Sequence, residues 1–240
     1  MRALAIESSG TTLSLAVHNG SRSFHNQAPN PQGQASRHAL SRVADLLAQA
    51  QLTLSQLDYV VFGQGPGAFT GLRMACALAQ GLALGAGISV LPVPSLLGLA
   101  WSGHQETGHS RVMGVTDARL GQVYYAAYDF SVNPWQVVCE PAVGLPEEVP
   151  VLPGFLRVGE GESASMSTTA TALMKGLDVA HVTERNALVL LKVAEQLRRQ
   201  GHRVQAPGEV QPVYVRHKVA LTQVEQIERR QDQSHSLKPW

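Results

Sequence analysis

The sequence predicts an α/β fold of two related lobes, each a mixed sheet with flanking helices. Three observations predict it. Each half of the 240-residue chain shows three strand-like runs, then a helix and a further strand. A glycine-rich turn joins a buried-strand run at 59–62 directly to a helix of small and aliphatic residues at 73–86. A polar stretch at 102–110, SGHQETGHS, makes the best boundary between the halves. The expected division is an N-terminal lobe at 1–103, a C-terminal lobe at 111–206, a closing segment at 207–222, and a polar, mixed-charge tail at 223–240 expected to be disordered.

In chain order, residues 2–7 and 13–19 read as strands joined by the SSGTT turn at 8–12. Asn19-Gly20 signals a hairpin, so 21–27 is expected as a third strand. Residues 28–34 are rich in Pro, Asn, Gln and Gly and read as a loop; Ser36 then caps a helix with Leu40, Val43, Leu47 and Ala50 at helical spacing. After the central helix come a strand at 88–93 and a short helix at 95–101. The second half offers strands at 111–116, 122–130 and 136–143 and a short one at 157–161. Its helix carries Ala187, Leu190, Leu191, Ala194 and Leu197 on one face and stops at Gly201.

A formal charge of +1 with 15% charged residues gives no electrostatic case for a broad nucleic-acid or membrane surface. Cys76 and Cys139 form no CxxC, which suits a reducing cytosol. The opening MRALAIESSG alternates like a strand and has no apolar leader core. The apolar run at 74–88 falls short of the roughly 20 residues of a membrane span. A cytoplasmic protein without membrane contact is expected.

Between Asp58 and Glu106 the only formally charged side chain is Arg73, and Gln80 is the only other strongly polar one in 73–86. A water-facing helix normally carries a polar stripe opposite its apolar one. This helix is therefore expected to touch protein on most sides: its own sheet on one, another subunit on the other. Polarity places Arg73, Ala77, Gln80 and Leu84 toward the partner, and Ala75, Cys76, Ala79, Leu82 and Ala83 toward the sheet.

The turn glycines Gly63, Gly65, Gly67 and Gly71 stand between strand and helix, where backbone amides can hold a phosphate; a tight turn allowing close strand–helix approach has the same composition. No GK[ST] follows, and no acidic residue lies in the next ~20 positions to hold a ribose. Glu7, Ser8 and Ser9 at a strand end read either as a metal–phosphate element or as an ordinary polar hairpin. Asp117 and Arg119 read as a turn with an exposed ion pair, or as a pair that positions a neighbouring loop or a partner's phosphate. The nine histidines include no HxxxH or HExxH, and GESAS at 161–165 lacks the final glycine of a nucleophile elbow. No metal site and no catalytic constellation is expected.

Residues 65–73, GPGAFTGLR, closely resemble the GPGSFTGxR signature of the TsaB (YeaZ) family. Three further segments resemble that family in its order: AQGLA at 79–83, DARLGQVY at 117–124 against DARxGEVY, and PVYVRHKVA at 212–220 against PVYLRxxVA. The resemblance implies an actin-like (ASKHA) fold and a pseudo-enzyme. Such proteins pair with a catalytic TsaD-type paralogue, on which a TsaE-type ATPase docks, to place threonylcarbamoyl on adenosine 37 of tRNAs reading ANN codons. ATP and metal are then expected on the partner subunits, with no cofactor bound by this chain alone and tRNA reached through the complex. The helices around the signature form the family's pairing surface, which implies Leu40, Val43, Leu47, Phe69, Thr70, Leu72, Arg73, Ala77, Gln80 and Leu84 as partner-binding residues. Glu7, Ser8, Ser9, Gly65 and Gly67 become a degenerate nucleotide loop, and Asp117, Arg119, Tyr214 and Arg216 structural motif residues. A homodimer through the same helices is expected when the partner is absent.

Departures from the family pattern are Glu7 for the usual Asp of the first loop, Ala35 and Ser41 for His and Pro of the preceding helix, and Gln122 for Glu. The alternative reading is an autonomous actin-fold ATPase or sugar-type kinase, motivated by the glycine turn, Glu7 and the two lobes.

Overall fold

A computed structural model describes residues 1–29, 37–160 and 176–216, with the backbone alone for His181 and Val182. The expected cap Ser36, the residues beyond 216 and the tail lie outside the described residues.

The first half runs β1 (Arg2–Glu7), β2 (Thr12–Asn19), β3 (Ser23–Pro29), α1 (Ala39–Ala50), β4 (Tyr59–Gly65), α2 (Phe69–Ala86) and β5 (Ser89–Pro94). The strands form a sheet of order β3-β2-β1-β4-β5. After α3 (Ser95–Thr107), the second half runs β6 (Arg111–Arg119), β7 (Gln122–Asp129), β8 (Gln136–Gly144), β9 (Leu156–Glu160), β10 (His181–Thr183) and α4 (Ala187–Arg199). Its sheet has the order β10-β9-β6-β7-β8. In both sheets the first three strands pair antiparallel and the last two add in parallel. The two halves therefore repeat one topology, the actin-like arrangement of two related lobes.

Strand alternation explains the layers. On β1, Leu4 and Ile6 join Val60, Phe62 and Leu15 on one face, under α1 and α2. Ala3 and Ala5 point the other way, with Val61 and Val93, toward α4 and α3. The inter-sheet layer is made by exchange: α4, from the second half, packs on β1 and β2, whereas α3 packs on β6 and touches α4. One buried cluster therefore runs from Ala3 through Leu99 and Leu190 to Val158.

The polar 102–110 stretch is not a linker over most of its length. Residues 102–107 complete α3, which ends at the left-handed Gly108. Their polar groups have partners that composition does not reveal: Ser102 Oγ donates to Glu106 (3.0 Å), and Thr183 Oγ1 to both Glu106 (2.6 Å) and Ser102 (3.1 Å). Gly103 lets α3 lie against Val158, whose side chain a Cβ would meet at 2.5 Å. The Asn19-Gly20 hairpin forms, with β3 starting at Ser23 because Asn19 Oδ1 gathers donors from Ser21 and Arg22 into a longer turn.

Residues 205–216 run as an extended strap. Gln205 bridges to Val90 on the free edge of β5, Val210 accepts from Gln80, and the Val213 amide donates to the Gln64 carbonyl at 2.7 Å.

Candidate functional site

Two places collect the residues singled out in the sequence: the cleft where β1 and β4 end, and the outer face of α2.

In the cleft, the chain's own groups fill the space around the glycine turn. Glu7 is buried; its carboxylate accepts from the Ser9 amide (2.7 Å) and the Ser95 hydroxyl (3.1 Å). It lies so close over Gly63 that any Cβ there would overlap it. Gly67 lies against the Ser9 backbone and Gly71 against the Ser8 carbonyl, again without room for a Cβ. The Ala68 amide, one that an anion would need, donates to the Ser9 carbonyl at 2.8 Å, and Ser8 Oγ donates to the Gly71 carbonyl at 2.7 Å. Gly65 adopts φ 107° and carries the chain out of β4 beneath Leu72. The glycines thus serve close packing of strand, first loop and α2.

A residue not singled out in the sequence closes this cleft. Arg185, buried at 6% exposure, reaches across from just before α4. One Nη donates to Ser9 Oγ (2.9 Å) and, at 3.4 Å, to the Pro66 carbonyl. The other meets Glu160 Oε2 at 2.6 Å and Thr116 Oγ1 at 3.3 Å, and Thr116 itself donates to Glu160 at 3.0 Å. Burial alone would raise the Glu160 carboxyl; the charge and hydrogen bond of Arg185, with that of Thr116, outweigh it and hold it below its ordinary value. Burial likewise opposes the charge on Arg185, but the Glu160 and Glu7 carboxylates prevail and raise it. Arg185 Nε is buried without a partner among the described residues. ERN at 184–186 looks like a loop in sequence, and no local signal identifies its arginine as a buried cross-link.

Asp117, Arg119 and Arg216 come together at the β6–β7 turn. Asp117 accepts from the Arg119 amide (2.7 Å) and pairs with its guanidinium (3.2 Å), with Arg119 largely exposed. Arg216 fastens the strap there, donating to the Ala118 carbonyl (2.9 Å) and to Gln122 Oε1 (2.7 Å). The Gln122 amide oxygen thus accepts at the place where a Glu is the family pattern.

On α2, Phe69, Arg73, Ala77, Gly81 and Gly85 repeat every four residues, all exposed, with Thr70 and the 75%-exposed Leu84 beside them. Added methyl groups at Gly81 or Gly85 would meet nothing within 4 Å. Arg73, Ala77 and Leu84 are exposed on the side away from the sheet; Gly81 and Gly85 extend the stripe and were legible in the same four-residue spacing. Ala75, Cys76, Ala79 and Ala83 are buried on the sheet side, with Leu82 partly so. Gln80 is half-turned inward, its amide donating to the Val210 carbonyl at 3.1 Å.

Three expected partner-facing residues are instead core. Leu72 is buried beneath the glycine turn, and Val43 and Leu47 pack with Leu4, Leu15 and Phe62. On an amphipathic helix, apolar residues at helical spacing mark the face toward the sheet. The outward face of α1 carries Leu40 (63% exposed), Ala44 and Ala48. Tyr214, expected only as a structural motif residue, lies at the head of the α2 stripe, its ring 5.4 Å from that of Phe69. Among the described residues, no group of three His, Cys, Asp or Glu side chains could hold a metal ion, and no helix is long and apolar enough to cross a membrane.

The family model described as TsaD, tRNA N6-adenosine threonylcarbamoyltransferase, matches residues 29–224. The chain is 31% identical to the Escherichia coli tRNA threonylcarbamoyladenosine biosynthesis protein TsaB, over 92% of this chain and 96% of that protein. It is 30% identical to the Haemophilus influenzae protein of the same name, over 90% and 94%. The solved structure of YeaZ from Pseudomonas aeruginosa superposes with a TM-score of 0.77 at 29% identity, covering 89% of this chain and 99% of that one. A second Pseudomonas aeruginosa structure, described as similar to peptidase YeaZ, gives the same TM-score at 30% identity. Full-length similarity to the TsaB proteins, the repeated actin-like topology and the glycine turn leading into an uncharged helix agree, and the chain belongs to the TsaB (YeaZ) family.

Proposed function

We propose that this chain acts in tRNA threonylcarbamoyladenosine biosynthesis as a non-catalytic subunit. It pairs through α2 and the outer face of α1 with a TsaD-type transferase and activates it toward adenosine 37 of tRNAs reading ANN codons. The observation that carries the reading is the exposed stripe Phe69–Arg73–Ala77–Gly81–Gly85 with Leu84, on a helix whose other face is core. Small side chains let a facing helix approach closely, and each Å² of apolar surface removed contributes ~25 cal/mol before association costs. A TsaE-type ATPase docks on the pair, tRNA is reached through the complex, and ATP and metal reside on the partners. The same stripe accounts for a homodimer when the transferase is absent. The setting is the cytosol.

The cleft favours this reading over the ATPase or kinase alternative. The Ala68 amide and Ser8 and Ser9 hydroxyls, the groups that would meet phosphates, are engaged within the chain. The test is co-purification with the TsaD-type transferase of the same organism, followed by assay of threonylcarbamoyladenosine with and without this chain. Pairing and chain-dependent modification support the proposal; modification unaffected by the chain, or Mg-ATP turnover by the isolated chain, overturns it.

A further inference from the structure

We propose that Arg73 is a preorganised receptor for a carboxylate on the protein that docks on α2; this rests on the pairing proposed above and names the chemistry the partner must bring. Arg73 is exposed but held from two sides. Its guanidinium carbon stacks 3.8 Å from the centre of the Phe69 ring, and its Nε donates to the Tyr214 hydroxyl at 3.1 Å. Tyr214 is itself held: Val213 before it is bonded to Gln64 and Arg216 after it to Ala118 and Gln122. With Nε engaged, the two Nη atoms form the free edge of the fork, and neither has an acceptor among the described residues. That edge matches a carboxylate in a bidentate geometry, with the orientation already set before the partner arrives.

The surroundings identify the occupant. Covering α2 with a protein takes Arg73 out of water on a helix that has no other charge, since 59–105 contains no Asp, Glu or Lys. A guanidinium buried without a counter-charge opposes binding strongly, so a stable partner supplies an anion at this point. An α2-to-α2 contact with a second copy of this chain brings no carboxylate to Arg73, and of the two pairing helices only α1 carries one, the exposed Asp45, so a heteromeric partner with a carboxylate facing Arg73 fits α2 better than α2-to-α2 self-association. A nucleic-acid phosphate fits less well, because a phosphate-tracking surface needs several cations and the neighbours here are Phe69, Ala77, Gly81 and Leu84.

The test measures the affinity of the full chain for the TsaD-type transferase of the same organism at low and high salt. Variants are Arg73→Gln, Arg73→Lys, Tyr214→Phe and Leu84→Glu, with melting temperatures recorded for each. Arg73→Gln is expected to weaken binding by about thirtyfold and to flatten its salt dependence. Arg73→Lys, which keeps the charge but not the fork, falls between, and Tyr214→Phe loses several-fold. Should Arg73→Gln lower the melting temperature, Tyr214→Phe carries the same test, and wild-type affinity in that variant counts against the receptor. Unchanged affinity in Arg73→Gln with loss in Leu84→Glu overturns the carboxylate receptor and leaves the pairing standing. Unchanged affinity in both overturns the pairing as well. Unchanged protein affinity with weaker tRNA binding by the Arg73→Gln complex assigns Arg73 to a phosphate and also overturns the proposal.

Discussion

Arg185 Nη2 and Glu160 Oε2 lie 2.6 Å apart, and through this contact two chain segments of the second half grip the first loop and the glycine turn of the first. The guanidinium of Arg185 therefore ties the two halves together directly, by way of Ser9 and the Pro66 carbonyl on one side and Glu160 on the other.

Removing one member of the pair strands the other in the interior. Arg185→Met is expected to lower unfolding free energy by about 3–5 kcal/mol. The Arg185→Met/Glu160→Met double variant recovers part of that loss, because Glu160 is no longer left without its counter-charge, while the buried Glu7 carboxylate still loses the Arg185 charge. Urea unfolding of the wild type, both single variants and the double variant closes the cycle. A simple sum of the single effects would contradict a coupled pair.

The same pair makes the fold acid-sensitive in a definite direction. Glu160 sits below its ordinary value of 4.5 in the folded chain, so the unfolded state takes up its proton first. The stabilisation is fully present above that ordinary value and is lost as pH falls through the lower folded one. Arg185 stays charged throughout. The stability difference between wild type and Glu160→Gln, measured by urea unfolding across acidic pH, is expected to shrink as pH falls below 4.5; a constant difference would contradict the shift.

Two glycines of α2 should respond with opposite sign. Gly71→Ala forces a methyl group into the Ser8 carbonyl and costs about 1–3 kcal/mol through overpacking. Gly81→Ala meets open space in a helix interior and gains about 0.5–1 kcal/mol. Thermal melts of the two variants check this, and equal effects would contradict the close approach of first loop and helix.

The strap should contribute stability out of proportion to its lack of regular structure. Arg216→Ala removes the bonds to Ala118 and Gln122 and leaves those acceptors to water, for a loss of about 1–3 kcal/mol. Hydrogen exchange at Val213, whose amide is bonded to Gln64, is expected to quicken in that variant. Unchanged protection would mean that the strap is held elsewhere.

Much of this architecture was legible in the sequence because it is written in periodicity. The strands at 2–7 and 59–62, the helix over Leu190–Leu197 and the close packing at the glycine turn follow from alternation, helical spacing and small residues. The sheet-facing side of α2 follows from the same signals. Long-range polar partners were not legible. Ser102 and Glu106 read as linker because their partner, Thr183, is 77 or more residues away. Arg185 was passed over for the same reason, since its ligands Ser9, Thr116 and Glu160 come from three separate segments. Val43 and Leu47 were misplaced because spacing identifies an apolar face without saying whether it meets the chain's own sheet or another subunit; Leu46 and Ala50, buried beside them, complete the core stripe.

The most direct measurement is the association of this chain, as wild type and as Ala77→Glu, with the TsaD-type transferase of the same organism. Ala77 is exposed midway along the α2 stripe, so the variant is expected to fold normally, to lose complex formation, and to lose tRNA threonylcarbamoylation in the reconstituted system. A correctly folded Ala77→Glu chain that assembles and supports modification like the wild type would contradict the assignment of α2 as the coupling surface.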